Sequence, residues 1–206
     1  VAEQTIRNEV VSFDSEELIL VDDQDREIGF LDKARAHQGE AVLHRAFSLF
    51  IFNSRGELLL QKRADGKRLW AGFWSNSCCS HPRRGETMPV ATQRRLRQEL
   101  GIETALEYVY KFQYHAQFDA SGAERELCWV YLGQSNDPPR INALEISDWR
   151  YVPAAQLEKE FSEHPEAFTP WFKLEWQRLN TEFRPLLERY LRGEGGRVDA
   201  AAGGVG

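Results

Sequence analysis

Cysteine is scarce: the 206 residues contain three, Cys78, Cys79 and Cys128. An odd number with two adjacent makes a poor disulfide framework, so a reducing, cytoplasmic setting is expected. Long hydrophobic runs are missing too. The longest apolar stretch, AFSLFIF at 46–52, is far too short to span a bilayer, and no membrane partner is expected. The first ten residues, VAEQTIRNEV, lack the basic-then-apolar pattern of a secretory signal. Excess positive charge is also absent. The net charge of −6 argues against nonspecific nucleic-acid binding and leaves room for a local basic pocket.

What is present is an ordinary globular mix, 42% hydrophobic and 28% charged, long enough to bury one core. Residues 17–32 read as two short strands around a polar DDQDR turn, and 46–63 as a hairpin around Asn-Ser-Arg-Gly. A helix is expected over 86–101, with Thr87 as N-cap, Pro89 in its first turn and Gly101 as its stop. Strands follow at 106–118, 127–133 and 149–152, then a short helix over 153–161. Thr169-Pro170 opens a long helical segment that kinks at Pro185. The tail 193–206 holds six glycines in fourteen residues and no aromatic, so it is expected to be disordered. These features describe an α+β chain with an N-terminal extension (1–16), a single domain (17–192) and that tail.

Several residues suggest chemistry. His37 and His44 stand seven apart, and His81 follows. Glu124 and Glu126, in GAERELC, share one face if that stretch is extended. Three imidazoles and two carboxylates would make a mixed nitrogen and oxygen site for Mn, Fe or Zn. On spacing alone, turn-capping or surface histidines are the commoner outcome, and His115 and His164 fit no set. Cys128, in LCWVYLG, reads as packing. A strand at 78–79 would turn Cys78 and Cys79 to opposite faces, one into the core and one toward a pocket, where nearby basic groups or a metal would give a thiol thiolate character. QKRADGKRLW, 61–70, is either a solvated hairpin edge or a phosphate cradle of Arg and Lys. Arg95 and Glu99, four apart on a helix, could together hold an anion and a divalent cation.

Residues 80–102 resemble a Nudix box. Glu86, Arg94, Leu96, Glu99, Gly101 and Ile102 match it, while Ser80, Arg95 and Gln98 depart from it. Two of the departures replace glutamates that would hold magnesium for hydrolysis of a diphosphate, and their loss should cripple that reaction. With H-x6-H at 37–44, NSxCxHP at 76–82, E-x-E-x-C at 124–128, Tyr114 and TPW at 169–171, the chain resembles the type I isopentenyl-diphosphate isomerases from about Glu17 to about Lys173.

The resemblance implies a Nudix-like mixed sheet flanked by helices and conversion of isopentenyl to dimethylallyl diphosphate, in isoprenoid biosynthesis. It implies His37, His44, His81, Glu124 and Glu126 as ligands of a Mn²⁺ or Zn²⁺ ion. Glu99 would help hold Mg²⁺ with the diphosphate, and Lys33, Arg63, Lys67 and Arg95 would bind the diphosphate itself. Cys79 and Glu126 would move protons on opposite faces of the substrate, with Tyr114 beside the acid and Trp171 over the reacting carbons. The partner is a small-molecule diphosphate, not nucleic acid or membrane, and the state monomeric or weakly homo-oligomeric. The alternatives are a Mg-dependent Nudix pyrophosphohydrolase and a non-catalytic, metal-stabilised binding module.

Overall fold

The computed structural model describes residues 8–196. Strand β1 (Glu17–Val21) and β2 (Glu27–Asp32) form the expected antiparallel pair, followed by a single-turn helix α1 (Lys33–Ala36). Then come β3 (His44–Phe52), β4 (Leu58–Arg63), the short β5 (Trp74–Ser75) and β6 (Cys78–Ser80), and helix α2 (Met88–Leu100). The long β7 (Leu106–Asp119) and β8 (Gly122–Gln134) form a hairpin, and β9 (Ile146–Val152) leads into α3 (Ala154–Glu163). Two helices, α4 (Pro170–Thr181) and α5 (Arg184–Leu191), close the described chain. Among the described residues, no helix is long and apolar enough to cross a membrane.

Strand β3 is the centre of the sheet. β8 runs parallel to it along its whole length, from His44 opposite Glu126 to Phe52 opposite Gln134. Its other edge meets β1 at His44, β6 at Phe47–Leu49 and β4 at Phe52. The hairpin expected over 46–63 is therefore a tight turn between strands that splay apart. β3 and β4 pair only at Phe52–Leu58, and β4 instead pairs with β9 and β5. The turn residues 53–56 fold as the sequence suggests, but the strands find larger apolar partners elsewhere.

Both faces of β3 are covered, which explains its nearly unbroken apolar run. Ala46, Phe50 and Phe52 pack with Phe172, Trp176 and Leu179 of α4. Phe47, Leu49 and Ile51 pack with Ala91, Leu96 and Leu100 of α2. Each such fully buried large side chain is worth roughly 1.5–3 kcal/mol. Helix α2 ends where Gly101 adopts a left-handed φ of 65°, the conformation glycine takes without a Cβ penalty.

The same two-layer arrangement separates the adjacent cysteines. Cys78 sits in the α2-facing core at 0% exposure, and Cys79 packs on the α4 side. Cys78→Ala is expected to leave catalysis nearly untouched and to cost on the order of 1 kcal/mol of stability, because only a small apolar contact is lost. Denaturant titration beside a rate measurement separates the two effects.

Residues 193–196 of the glycine-rich tail stay attached to α5, where the Gly193 and Glu194 amides bond Tyr190 and Arg189 carbonyls. The rest of the tail expected to be disordered, 197–206, and residues 1–7 of the extension lie outside the described residues.

Candidate active site

Strand register builds the site. Side chains two apart on a strand share a face, so Glu124, Glu126 and Cys128 of β8 point the same way. The parallel pairing sets His44 beside Glu126, and the β7–β8 pairing sets Tyr114 on Glu126's other side. One strand over, β6 places Cys79 opposite Ser48 of β3. His81 lies two residues beyond Cys79, and His37 caps the end of α1.

His37, His44, His81, Glu124 and Glu126 meet, with one ligand atom of each within 4.8 Å of the others. His37 Nδ1 lies 2.7 Å from the Lys33 carbonyl and His44 Nδ1 lies 2.7 Å from the Val42 carbonyl. A neutral ring that donates Nδ1–H to a carbonyl presents a bare Nε2 lone pair on its other side. Burial lowers the His37 pKa, but Glu124 beside it outweighs this and raises it, so with no metal bound its Nε2 donates to Glu124. His37 Nε2 is 2.9 Å from Glu124, and His81 Nε2 is 2.9 Å from Glu126. His44 Nε2 is fully buried and has no hydrogen-bond partner. Burial, aided by His37, pushes His44 down to about 4, so this imidazole is neutral, as a metal ligand must be. An orphaned buried nitrogen among carboxylates fits a cation.

Gly122 sets the spacing at one side of this cluster. A Cβ there would lie 2.3 Å from the His37 carbonyl oxygen, which already accepts from the Ala123 amide at 3.1 Å. Gly122→Ala must therefore push His37 away. The expected result is several-fold lower metal retention after dialysis and a lower Tm, both read without any activity assay.

Cys79, Tyr114, Glu124, Glu126 and Trp171 line one cavity of about 330 Å³. Tyr114 donates to Glu126 Oε2 at 2.6 Å. Burial, reinforced by the neighbouring Glu124 carboxylate, pushes the Glu126 carboxyl well above its ordinary value. Burial also opposes ionisation of Glu124, but His37 beside it outweighs this and holds it low. The two adjacent carboxyls thus shift in opposite directions. Cys79 Sγ donates to Asn76 Oδ1 at 2.8 Å, and Asn76 is held by bonds to the Leu49 and Cys78 carbonyls. Trp171, 3% exposed, closes the cavity near Cys79, with Trp70 and the Arg63 guanidinium 5.2 and 5.4 Å from its ring.

Burial pushes the Cys79 thiol up to about 12, with the Glu175 carboxyl adding to the rise. Arg83 and Arg84 point elsewhere, toward Glu16 and Glu17.

The cationic set is assembled in part. Lys33, Arg63, Lys67 and Arg95 all line the cavity. Lys67 and Arg95 share the Glu145 carboxylate, and Arg63 also donates to the Leu69 and Trp70 carbonyls. Glu99 stands apart from the five-ligand group, paired with the Arg95 guanidinium and off the cavity lining. Glu86 is likewise paired with Arg94, so both remaining box glutamates are neutralised by arginines. Sequence reasoning missed Glu145, Asn76 and the segment 10–14. Val10, Ser12 and Asp14 line the cavity, and Arg95 bonds the Val11 carbonyl at 2.9 Å. Asn76 was visible inside NSxCxHP; Glu145 and the segment carry no local signal.

Known proteins show which family the chain resembles. The sequence matches the NUDIX domain family over residues 42–172. It is 42% identical over 163 residues to Isopentenyl-diphosphate Delta-isomerase 1 of Photorhabdus laumondii, covering 78% of this chain and 93% of that protein. It is 42% identical over 160 residues to the Isopentenyl-diphosphate Delta-isomerase of Halorhodospira halophila, covering 77% and 91%. A crystal structure from Deinococcus radiodurans superposes with a TM-score of 0.66 over 79% of this chain and 98% of that one. At 24% identity, that likeness speaks for the fold alone.

Proposed function

The chain belongs to the Nudix family and, within it, to the isopentenyl-diphosphate Delta-isomerases, and from that membership we propose how its residues divide the work. The reaction moves a double bond, converting isopentenyl diphosphate to dimethylallyl diphosphate. An unactivated alkene must gain a proton at its terminal carbon and lose one from the carbon two positions away. Tertiary carbocation character develops between these steps.

Glu126 is the acid. Burial and the neighbouring Glu124 raise its carboxyl above the ordinary value, which favours the protonated form, and Tyr114 orients it. Cys79 removes or exchanges the proton from the other carbon. The Trp171 ring stabilises the cation through its π face, worth about 2 kcal/mol or more once water is excluded, and it cannot trap the cation as an alcohol. Lys33, Lys67 and Arg95 hold the diphosphate, with Arg63 between them and Trp171. A divalent ion, Mn²⁺ or Zn²⁺, would be held by His37, His44, His81, Glu124 and Glu126 and would supply positive charge that fixes Glu126 in place. Mg²⁺ would accompany the diphosphate; Glu145, on the cavity wall, is better placed than Glu99 to approach it.

The observation that carries this reading is the meeting of Glu126, Tyr114, Cys79 and Trp171 around one cavity with cations on its wall. A hydrolase reading has less support, because Glu86 and Glu99 are spent on ion pairs. Three free thiols suit a cytoplasmic setting; the proposed state is a monomer or weak homo-oligomer, and the proposed partner a small diphosphate rather than nucleic acid or membrane.

Incubation of isopentenyl diphosphate with the protein, Mg²⁺ and Mn²⁺ in D₂O, followed by NMR, tests it. Dimethylallyl diphosphate with deuterium in the new methyl group and no free phosphate is expected. Released phosphate without isomerisation would move the chain to the hydrolases, and an unchanged spectrum to the binding modules.

A further inference from the structure

The opening of α4 departs from ordinary helix capping. Thr169 stands at the N-cap, where a threonine hydroxyl usually accepts from an amide of the first turn, yet its side chain makes no such bond. The hydroxyl lies instead 2.9 Å from Ser75 Oγ of β5. Ser75 Oγ donates to Asn76 Oδ1 at 3.1 Å, and the same oxygen accepts from Cys79 Sγ at 2.8 Å. Ser75, Asn76 and Thr169 are each 0% exposed. Buried hydroxyls and amides are unfavourable unless every group is paired, so packing alone would suit apolar side chains better at these positions.

The bonds run in one consistent direction. Asn76 Nδ2 donates to the Leu49 carbonyl at 3.2 Å and to the Cys78 carbonyl at 3.3 Å. That fixes the amide with its oxygen toward the sulfur, and an amide oxygen can only accept. Ser75 therefore gives its proton to Asn76, and Thr169 donates to Ser75. The main chain repeats the link, since the Thr169 amide donates to the Trp74 carbonyl at 2.9 Å and Phe168 forms a bridge with Trp74. One end of the network holds Cys79 Sγ. The other holds the residue two before Trp171, and both Cys79 and Trp171 line the cavity.

We propose that Asn76, Ser75 and Thr169 are positioning residues that together set the gap between Cys79 Sγ and the Trp171 ring. This role rests on the isomerase reading and deepens it. None of the three lines the cavity, so each acts through a residue that does. The substrate must lie with one carbon at the sulfur and the developing cation at the ring, and both contacts weaken steeply with misplacement. The other reacting groups are held separately: Glu126 by Tyr114 of β7, and the cations Lys33 and Arg95 on α1 and α2. Loosening the network should therefore slow loss of the second proton and spare both alkene protonation and diphosphate binding.

The test uses the metal-loaded protein and isopentenyl diphosphate in D₂O. Thr169→Val keeps the shape and removes the hydroxyl, and α4 loses no capping bond by it. A fall in kcat of about tenfold with KM unchanged is expected. Recovered substrate should also carry more deuterium at its terminal carbon, per product formed, than with the wild type. Thr169→Ser, which returns the hydroxyl, should recover most of the loss. Ser75→Ala should match Thr169→Val, and the double variant should be no slower than the slower single one. Asn76→Ala, which frees the sulfur directly, should show the largest fall. Wild-type kcat and labelling in either hydroxyl variant would overturn the role. Equal losses in Thr169→Val and Thr169→Ser would overturn it too, because packing would then be the cause. If Asn76→Ala fails to fold, the hydroxyl variants decide alone. A wild-type protein without isomerase activity would instead sink the reading on which the role rests.

Discussion

Glu126→Gln is expected to remove nearly all turnover, about three orders of magnitude or more. The amide matches the carboxyl in shape and can keep the Tyr114 contact made at 2.6 Å, so the fold should survive. It has no acidic proton to give the alkene and is a weaker ligand than a carboxylate. One substitution should therefore produce two losses: turnover and retained metal. Metal content by elemental analysis beside kcat separates them, since added Mn²⁺ restores occupancy and leaves the rate low. In D₂O, substrate recovered from this variant should carry no deuterium at its terminal carbon. A near-normal rate would end the assignment of Glu126 as the acid.

Cys79→Ala should be as severe on the rate and leave a different isotopic record. With the thiol gone, the second proton has no acceptor, while Glu126 and Tyr114 are intact. Protonation of the alkene and its reversal can continue, so recovered isopentenyl diphosphate should accumulate deuterium at its terminal carbon without becoming product. Mirror-image labelling in the two variants would show that the two residues serve different carbons. If Cys79→Ala turned over normally, or Cys78→Ala were equally damaging, the wrong cysteine would have been chosen. The structure makes that second outcome unexpected, because Cys78 faces α2 and Cys79 lines the cavity.

The depth of these effects reflects burial. His44, Glu124 and Glu126 are buried and Cys79 partly so, and there each group's protonation is set by its neighbours more than by solvent. That is why Glu126 and Glu124, two residues apart with identical side chains, shift in opposite directions.

Much was legible along the chain. Alternation and turn residues placed β1, β2, β7 and β9 to within a few residues, while β8 begins at Gly122, ahead of the expected 127; Gly101 ended α2 where a left-handed residue was needed. Strand periodicity alone put Glu124 and Glu126 on one face and Cys78 and Cys79 on opposite faces. The spacing of His37, His44, His81 and the NSxCxHP stretch carried the resemblance. These features are local: residue types at fixed separations on one element, which backbone geometry converts directly into direction.

Only the tertiary structure decided the rest. The parallel pairing of β3 with β8 brought His44 to Glu126, and it opened the hairpin that the sequence suggested between β3 and β4. Packing of the segment 10–14 made it part of the cavity wall, and the convergence of Lys67, Arg95 and Glu145 joined three separate elements of the chain. Neither the upward shift of the Cys79 thiol nor the burial of Glu175 could be read in advance. Register between distant strands depends on which apolar faces find cover, and a pKa depends on the water removed by every neighbour at once. Spacing along a chain specifies the groups that can react; the packed structure sets which of them carry a proton.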